Sequence, residues 1–192
     1  MVTLNRIYTR TGDAGDTRLA TGETVRKCSA RVEAYGAVDE CNAVVGLVRL
    51  HTRGEATLDA MLARIQNELF DLGADLATPD RGLPLGWEPL RILDGQVERL
   101  EGEIDQLNAD LPPLDSFVLP GGTEAATWLH LARTVCRRAE RIAVDLAGRP
   151  DEPVSPAAIK YLNRLSDFFF VASRWCNAQS VGDVLWTPGG TR

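Results

Sequence analysis

Arg133, Arg137 and Arg141 recur at four-residue steps in the segment WLHLARTVCRRAERIAVDL, residues 128–146. On a helix, at 100° per residue, these guanidiniums and His130 would share one face. Ala132, Val135, Cys136, Ala139, Ile142, Ala143 and Leu146 would share an apolar one. Like charges at this spacing repel one another, and Glu140, three residues from Arg137, offsets part of that. The stripe can be a solvated basic face or an anion site. Guanidinium forks match phosphate and carboxylate oxygens. The chain as a whole is acidic, with 21 Lys and Arg against 27 Asp and Glu and a net charge of −6. A local concentration of arginine in such a chain favours the anion site.

A second polar cluster lies near the start, at Thr9-Arg10-Thr11-Gly12-Asp13-Ala14-Gly15-Asp16-Thr17. Its glycines let backbone N–H groups approach an anion, and the threonine hydroxyls and Arg10 add donors. Lys27 follows a short way downstream and supplies another cation. The pattern GxxxxGK[ST] is absent and no strand precedes the loop, so it is not a P-loop. Taken alone, the segment also reads as a plain surface turn.

Two further faces carry polar groups among small or aromatic ones. Gly36, Asp39, Ala43 and Gly46 fall together on one helical face. Interior glycines cost roughly 1 kcal/mol each relative to alanine, so a close approach by another helix or chain is expected there. Asp39 is then either a packed partner for an arginine or an exposed helical aspartate. Asn163, Asp167, Phe170 and Arg174 share another face. They can line a pocket for a heterocycle or form an ordinary polar face beside a phenylalanine-rich core.

Other chemistries lack their residues. No Ser-His-Asp or Cys-His arrangement is apparent, and neither His51 nor His130 has an evident nucleophile beside it. Cys28, Cys41, Cys136 and Cys176 form no CxxC pair and have no zinc-ligand spacing, so they read as reduced packing residues of a cytoplasmic protein. The acidic balance argues against broad nucleic-acid or anionic-membrane binding. No stretch reaches the roughly 20 apolar residues of a membrane span, and the first residues have no signal-length apolar run.

Five helical patterns must position these groups. The first runs from Ala30 to Leu50, with Val32, Tyr35, Val38, Cys41 and Val45 in register. The second runs from Ala56 to Leu76, through Leu58, Leu62, Ile65, Leu69 and Leu72, and Thr78-Pro79 stops it. The loop from Asp80 to Pro89 reads as surface. The third pattern spans Leu90 to Asn108, through Leu93, Val97, Leu100, Ile104 and Leu107. The fourth takes Thr123 as N-cap, opens on Glu124 and continues to Leu146, ending at Gly148 and Pro150. The fifth is capped by Ser155, with Pro156 at its first position, and runs to about Asn177. Residues 1–28 read as irregular. The expected fold is therefore one all-α domain: an N-terminal loop over 1–28, a five-helix bundle over 29–178 and a tail over 179–192 that folds over the bundle or frays.

Five stretches carry a family resemblance: YTRTGDAGDT (8–17), RVEAYGAVDECNAVVG (31–46), IQNELFDLGADLATP (65–79), FVLPGGTEAATWLHLARTVCRRAER (117–141) and YLNRLSDFFFVASR (161–174). Together and in this order they resemble the ATP:cob(I)alamin adenosyltransferases of the propanediol-utilisation type, over nearly the whole chain. The resemblance implies a ferritin-like up-down five-helix bundle, assembled as a homotrimer with active sites between subunits. The implied reaction moves the 5′-deoxyadenosyl group of ATP to the cobalt of cobalamin. A flavoprotein would be the reductant and an adenosylcobalamin-dependent mutase the product acceptor.

By the same resemblance, Tyr8, Thr9, Arg10, Thr11, Gly12, Asp13, Gly15, Asp16, Thr17 and Lys27 bind the triphosphate, which carries Mg²⁺. Arg133 and Arg137 face the nucleotide, with Glu140 and Arg141 beside them and Asn163 in contact. Asp39 pairs with Arg133 across the subunit interface; Asp39, Arg133 and Arg137 are thus the implied catalytic set. Phe117 and Phe170 line the corrin side, where the lower dimethylbenzimidazole ligand leaves cobalt. Asp167 and Trp186 are expected on the same side, Trp186 without a family match to place it. The chain departs from the family pattern at Ala14 and Arg10, where lysine is frequent, at Cys41, where leucine is usual, and in the tail around Trp186.

Overall fold

The computed structural model describes residues 8–82 and 84–192; residues 1–7 of the leading segment and Leu83 of the Asp80–Pro89 loop lie outside them. The elements are a small hairpin, β1 (Asp16–Arg18) and β2 (Thr24–Arg26), and five helices: α1 (Ala30–His51), α2 (Ala56–Leu76), α3 (Asp94–Asn108), α4 (Glu124–Ala147) and α5 (Pro156–Ala178). The hairpin is antiparallel, pairing Asp16 with Arg26, Thr17 with Val25 and Arg18 with Thr24. It is absent from the sequence reading because three-residue strands are too short to show a period of two.

The helices pack in the spatial order α2, α1, α4, α5, α3, with α2 also touching α5. Helix α4 is central for a reason written in its residues. Ala132, Cys136, Ala139 and Ala143 are fully buried, and such small side chains let α1 and α5 approach its backbone from both sides. Larger groups fill the rest of the core: Leu162, Leu165, Phe168 and Phe169 of α5, and, beyond α1, Leu62, Ile65 and Leu69 of α2. Buried charge fastens the periphery. Arg31, 2% exposed, donates to Glu152, to the Leu76 carbonyl and to the Pro153 carbonyl at 2.7, 2.7 and 2.9 Å. One guanidinium thereby joins the end of α2 to the α4–α5 connection.

Helix boundaries follow the expected signals. Thr123 accepts from the Ala126 N–H at 3.1 Å and caps α4, and Pro156 opens α5 after Ser155. The third helix differs: it starts at Asp94, not Leu90. The Asp75 carboxylate accepts from the Ile92 N–H at 2.9 Å and from Arg91 at 2.7 Å, holding this stretch extended. The Gln96 side chain then caps the Leu93 N–H at 2.9 Å. Apolar residues in the extended approach had prolonged the apparent period. All four cysteines are free, with Cys41, Cys136 and Cys176 buried and Cys28 exposed.

The tail folds over. Val118 and Leu185 form an antiparallel bridge, with Leu119 N–H donating to the Val184 carbonyl at 2.7 Å and Trp186 N–H to the Phe117 carbonyl at 2.8 Å. No described helix is long and apolar enough to cross a membrane.

Candidate active site

The leading loop is a cradle built on the hairpin. Gly15 takes a left-handed conformation at φ 90° and its carbonyl accepts from the Lys27 N–H at 2.9 Å. A Cβ there would meet the Arg26 guanidinium at 3.0 Å. That guanidinium braces the loop, donating to the Ala14 carbonyl at 3.1 Å and to Asp16 at 3.0 Å. The Lys27 ammonium lies over Gly12. Around it opens a cavity of about 770 Å³ lined by Tyr8 to Asp13, Asp16 to Arg18, Thr24 and Lys27. Thr9, Arg10, Thr11, Gly12, Asp13, Asp16, Thr17 and Lys27 are thus brought together, as the sequence implied. Arg18 and Thr24 are additions that only the hairpin register exposes.

A second cavity, of about 740 Å³, is apolar in character. Leu114 to Val118, Arg133, Phe170, Trp186 and Pro188 line it. Phe117 is 76% exposed and meets Trp186 edge-on, centroids 5.9 Å apart. The strand-like pairing of 117–119 with 184–186 makes this wall, and the Ser116 hydroxyl adds a bond to the Trp186 carbonyl at 2.8 Å. Phe117, Phe170 and Trp186 therefore meet, although they are far apart in the chain.

Arg133 is half-buried at this cavity, and its Nε has no hydrogen-bond partner among the described residues. Burial, and then the neighbouring Arg137, push its pKa down. One and two turns on, Arg137 and Arg141 are exposed, and neither forms an ion pair among the described residues. Glu140 accepts from the Asn163 amide at 2.9 Å, and the Asn163 carbonyl oxygen accepts from Arg164. Asp167 stands one turn beyond on α5, within electrostatic reach of Arg164, Arg137 and Glu140. Desolvation raises its pKa against the pull of the two arginines. The α4–α5 face thus gathers Arg137, Glu140, Asn163 and Asp167, with Arg164 as a member the sequence reading missed.

Three expectations need correction or completion. His130 does not share the exposed charged face: it is 1% exposed. Helical angle alone put it beside Arg137 and Arg141, but at that end of α4 Phe170 and the start of the tail cover the face. Arg174 is not at the pocket; it is buried, donating to Asp183 at 2.8 Å and to the Pro112 carbonyl at 2.7 Å. Among the described residues Asp39 forms no ion pair with Arg133 of its own chain, and the two line different clefts. Asp39 is exposed, in a cleft with Asn42, Ala43, Gln66, Asn67 and Phe70 on the α1–α2 face. The loop cavity and the aromatic cavity share no lining residue.

Comparison with known proteins gives a consistent result. The family model for cobalamin adenosyltransferase matches residues 7–176. A corrinoid adenosyltransferase of Mycobacterium tuberculosis (strain H37Rv) is 50% identical over 191 residues, covering 100% of this chain and 97% of the relative. One from Bacillus subtilis is 44% identical, covering 93% and 91%. Among solved structures, a variant PduO-type ATP:corrinoid adenosyltransferase from Lactobacillus reuteri, complexed with cobalamin and ATP, superposes with a TM-score of 0.82 at 39% identity, covering 94% of this chain and 96% of that one. A second variant of that enzyme, complexed with ATP, gives 0.83 at 38% identity, covering 94% and 100%. On the matched family model and on relatives aligned over almost their whole length, the chain belongs to the cobalamin adenosyltransferase family.

Proposed function

We propose that this chain transfers the 5′-deoxyadenosyl group of ATP to the cobalt of cob(I)alamin, yielding adenosylcobalamin and triphosphate. The observation that carries the reading is the course of α4. Its Arg133 lines the aromatic cavity, and one turn on Arg137 presents a guanidinium with no ion pair among the described residues. A corrin seated against Phe117, Phe170 and Trp186 would lie next to a triphosphate held by arginine.

The nucleophile is the substrate's own cobalt, which suits a site without a Ser-His-Asp or Cys-His arrangement. Cob(I)alamin attacks C5′; a Co–C bond forms, the C5′–O bond breaks, and its electron pair leaves with triphosphate. The protein's task is to position two large substrates and to stabilise charge on the leaving group. Arg137, Lys27 and the loop amides serve the leaving group. Mg²⁺ carried on the triphosphate would neutralise part of its charge. Phe117 and Phe170 occupy the face from which dimethylbenzimidazole is displaced. That displacement raises the cobalt potential, so a flavoprotein can deliver the electron that makes cob(I)alamin from cob(II)alamin. An adenosylcobalamin-dependent mutase is the acceptor of the product, in the cytoplasm.

Because the two cavities share no residue, we assign the loop of one subunit to the arginine stripe of the next, in a homotrimer. Two exposed features of α1 and α2 support this. A Cβ at Gly36, in the groove between α1 and α4 beside Glu40 and Arg138, would meet nothing within 4 Å, so the packing of one chain does not require that glycine. Phe70, beside the Asp39 cleft on the α1–α2 face, is 72% exposed. Asp39 then pairs with Arg133 of the neighbour. Asp39→Asn is expected to lower kcat/KM about tenfold, the loss of one charge-assisted pair. Sedimentation velocity run beside the assay shows whether assembly loosens as well, and a fully active Asp39→Asn trimer would remove the pairing.

The overall test is visible spectroscopy of the protein with MgATP and cob(II)alamin under a reductant, with phosphorus NMR for triphosphate. Appearance of the adenosylcobalamin spectrum with one triphosphate per Co–C bond is expected. Binding of both ligands without turnover would leave a corrinoid carrier instead. Trp186→Ala is expected to raise KM for cobalamin about tenfold, the loss of one aromatic anchor, with KM for ATP unchanged in the same assay.

A further inference from the structure

Eight buried side-chain polar atoms lack a hydrogen-bond partner among the described residues, and four of them belong to one neighbourhood: both ring nitrogens of His130, Arg133 Nε and Asp183 Oδ1. His130 stands edge-on behind Phe170, ring centroids 6.4 Å apart at 63°. Burial, and then Arg133, hold its pKa down against the pull of Asp183, which favours the neutral ring. Asp183 spends its Oδ2 on Arg174 Nε at 2.8 Å and keeps Oδ1 unspent. It begins the stretch whose next residues pair with 117–119 and carry Trp186.

Unmet buried polar groups destabilise a fold, and an apolar ring of similar shape at position 130 would avoid that. The imidazole offers what such a ring does not, one donor and one acceptor. The unspent acceptor in electrostatic reach is Asp183 Oδ1. We propose that His130 is a positioning residue for the corrinoid: a filled aromatic cavity presses Phe170 back and closes a hydrogen bond from His130 to Asp183, fastening the Trp186 tail to α4. The proposal rests on the reading of that cavity as the corrin side.

The test uses the full chain with His130→Phe and His130→Gln, measuring KM for cob(I)alamin at saturating MgATP, KM for MgATP at saturating cob(I)alamin, and melting temperature without ligand. His130→Phe is expected to melt at or above wild type and to raise KM for the corrinoid about tenfold, with KM for ATP unchanged. His130→Gln, which keeps a donor, is expected to recover corrinoid KM to within about threefold of wild type. Wild-type corrinoid KM in His130→Phe would overturn the proposal. So would a parallel rise in both KM values, or failure of His130→Phe to fold, since the imidazole would then be a structural group. Phe117→Ala separates the two readings. If it too leaves corrinoid KM unchanged, the cavity assignment fails; if it raises that KM while His130→Phe does not, only the latch fails.

Discussion

Arg137→Ala is expected to lower kcat for adenosyl transfer by roughly 10²–10³-fold, the loss found when one preorganised donor to a developing anion is removed. The argument starts from what Arg137 does not do. It forms no ion pair among the described residues, whereas its neighbour Arg138 is engaged by Glu40. An exposed, unpaired arginine on a helix contributes little to folding, so the alanine variant should melt close to wild type. The triphosphate gains charge only as the C5′–O bond breaks, so the contact strengthens toward the transition state and the loss falls on kcat more than on KM for ATP. Arg137→Lys keeps the charge and loses the planar fork. It should fall between wild type and alanine, about tenfold below wild type, if half of the binding geometry survives. Single-turnover formation of adenosylcobalamin from preformed cob(I)alamin is the measurement, because it excludes electron delivery. Wild-type single-turnover rates in Arg137→Ala would take the triphosphate off α4.

The largest stability effect is expected at Gly122. Its φ of 101° lies in the left-handed region, and a Cβ there would stand 2.1 Å from Asn177 Oδ1 and 2.6 Å from Nδ2. Asn177 is fully buried and cannot swing away without losing its bonds. Its Oδ1 accepts from the Thr123 N–H at 3.0 Å and its Nδ2 donates to the Gly121 carbonyl at 3.1 Å. Its own carbonyl also accepts from Gly182 N–H at 2.8 Å. The side-chain amide therefore holds the start of α4 and the loop that follows Phe117, and the backbone of the same residue holds the turn that leads into the tail. Gly122→Ala should cost about 3 kcal/mol, combining left-handed strain with lost buried hydrogen bonds. For a chain of this size that corresponds to a melting temperature lower by roughly 6–12 °C. Gly121→Ala is the control: its Cβ would sit 3.7 Å from Val184 Cγ2, in ordinary contact, so calorimetry should find it near wild type. Equal melting of the two variants would show that Asn177 yields. Because the amide fixes the loop that follows Phe117, Gly122→Ala should also raise KM for cobalamin where it still folds.

The elements were legible in the sequence wherever a local rule decides them. Leu58 to Leu72 recur at three- and four-residue steps because one face of α2 is buried. Thr123, Ser155 and Pro156 mark helix starts because the first N–H groups need a cap or, with proline, none. Arg133, Arg137 and Arg141 were legible as a stripe because helix geometry makes residues four apart neighbours. Where tertiary contacts override the local pattern, the sequence misled. Leu90 and Leu93 look like helix, but the Asp75 carboxylate, from a different helix, takes the Ile92 N–H and keeps that stretch extended.

For the site itself, residue types and order along the chain determined the chemistry on offer: guanidiniums, glycine-loop amides and a set of aromatics. Only the tertiary structure decided how those groups divide. Arg133 went to the aromatic wall and Arg137 to solvent, because Phe170 and the tail cover this face of α4 at one end and no described residue covers it at the other. His130 was buried for the same reason, and no helical wheel records what packs across a wheel. The tail's return to Phe117 and the separation of the loop cavity from the arginine stripe are likewise products of long-range packing. A sequence period reports which way a side chain points from its own element; what it meets there depends on residues far away in the chain.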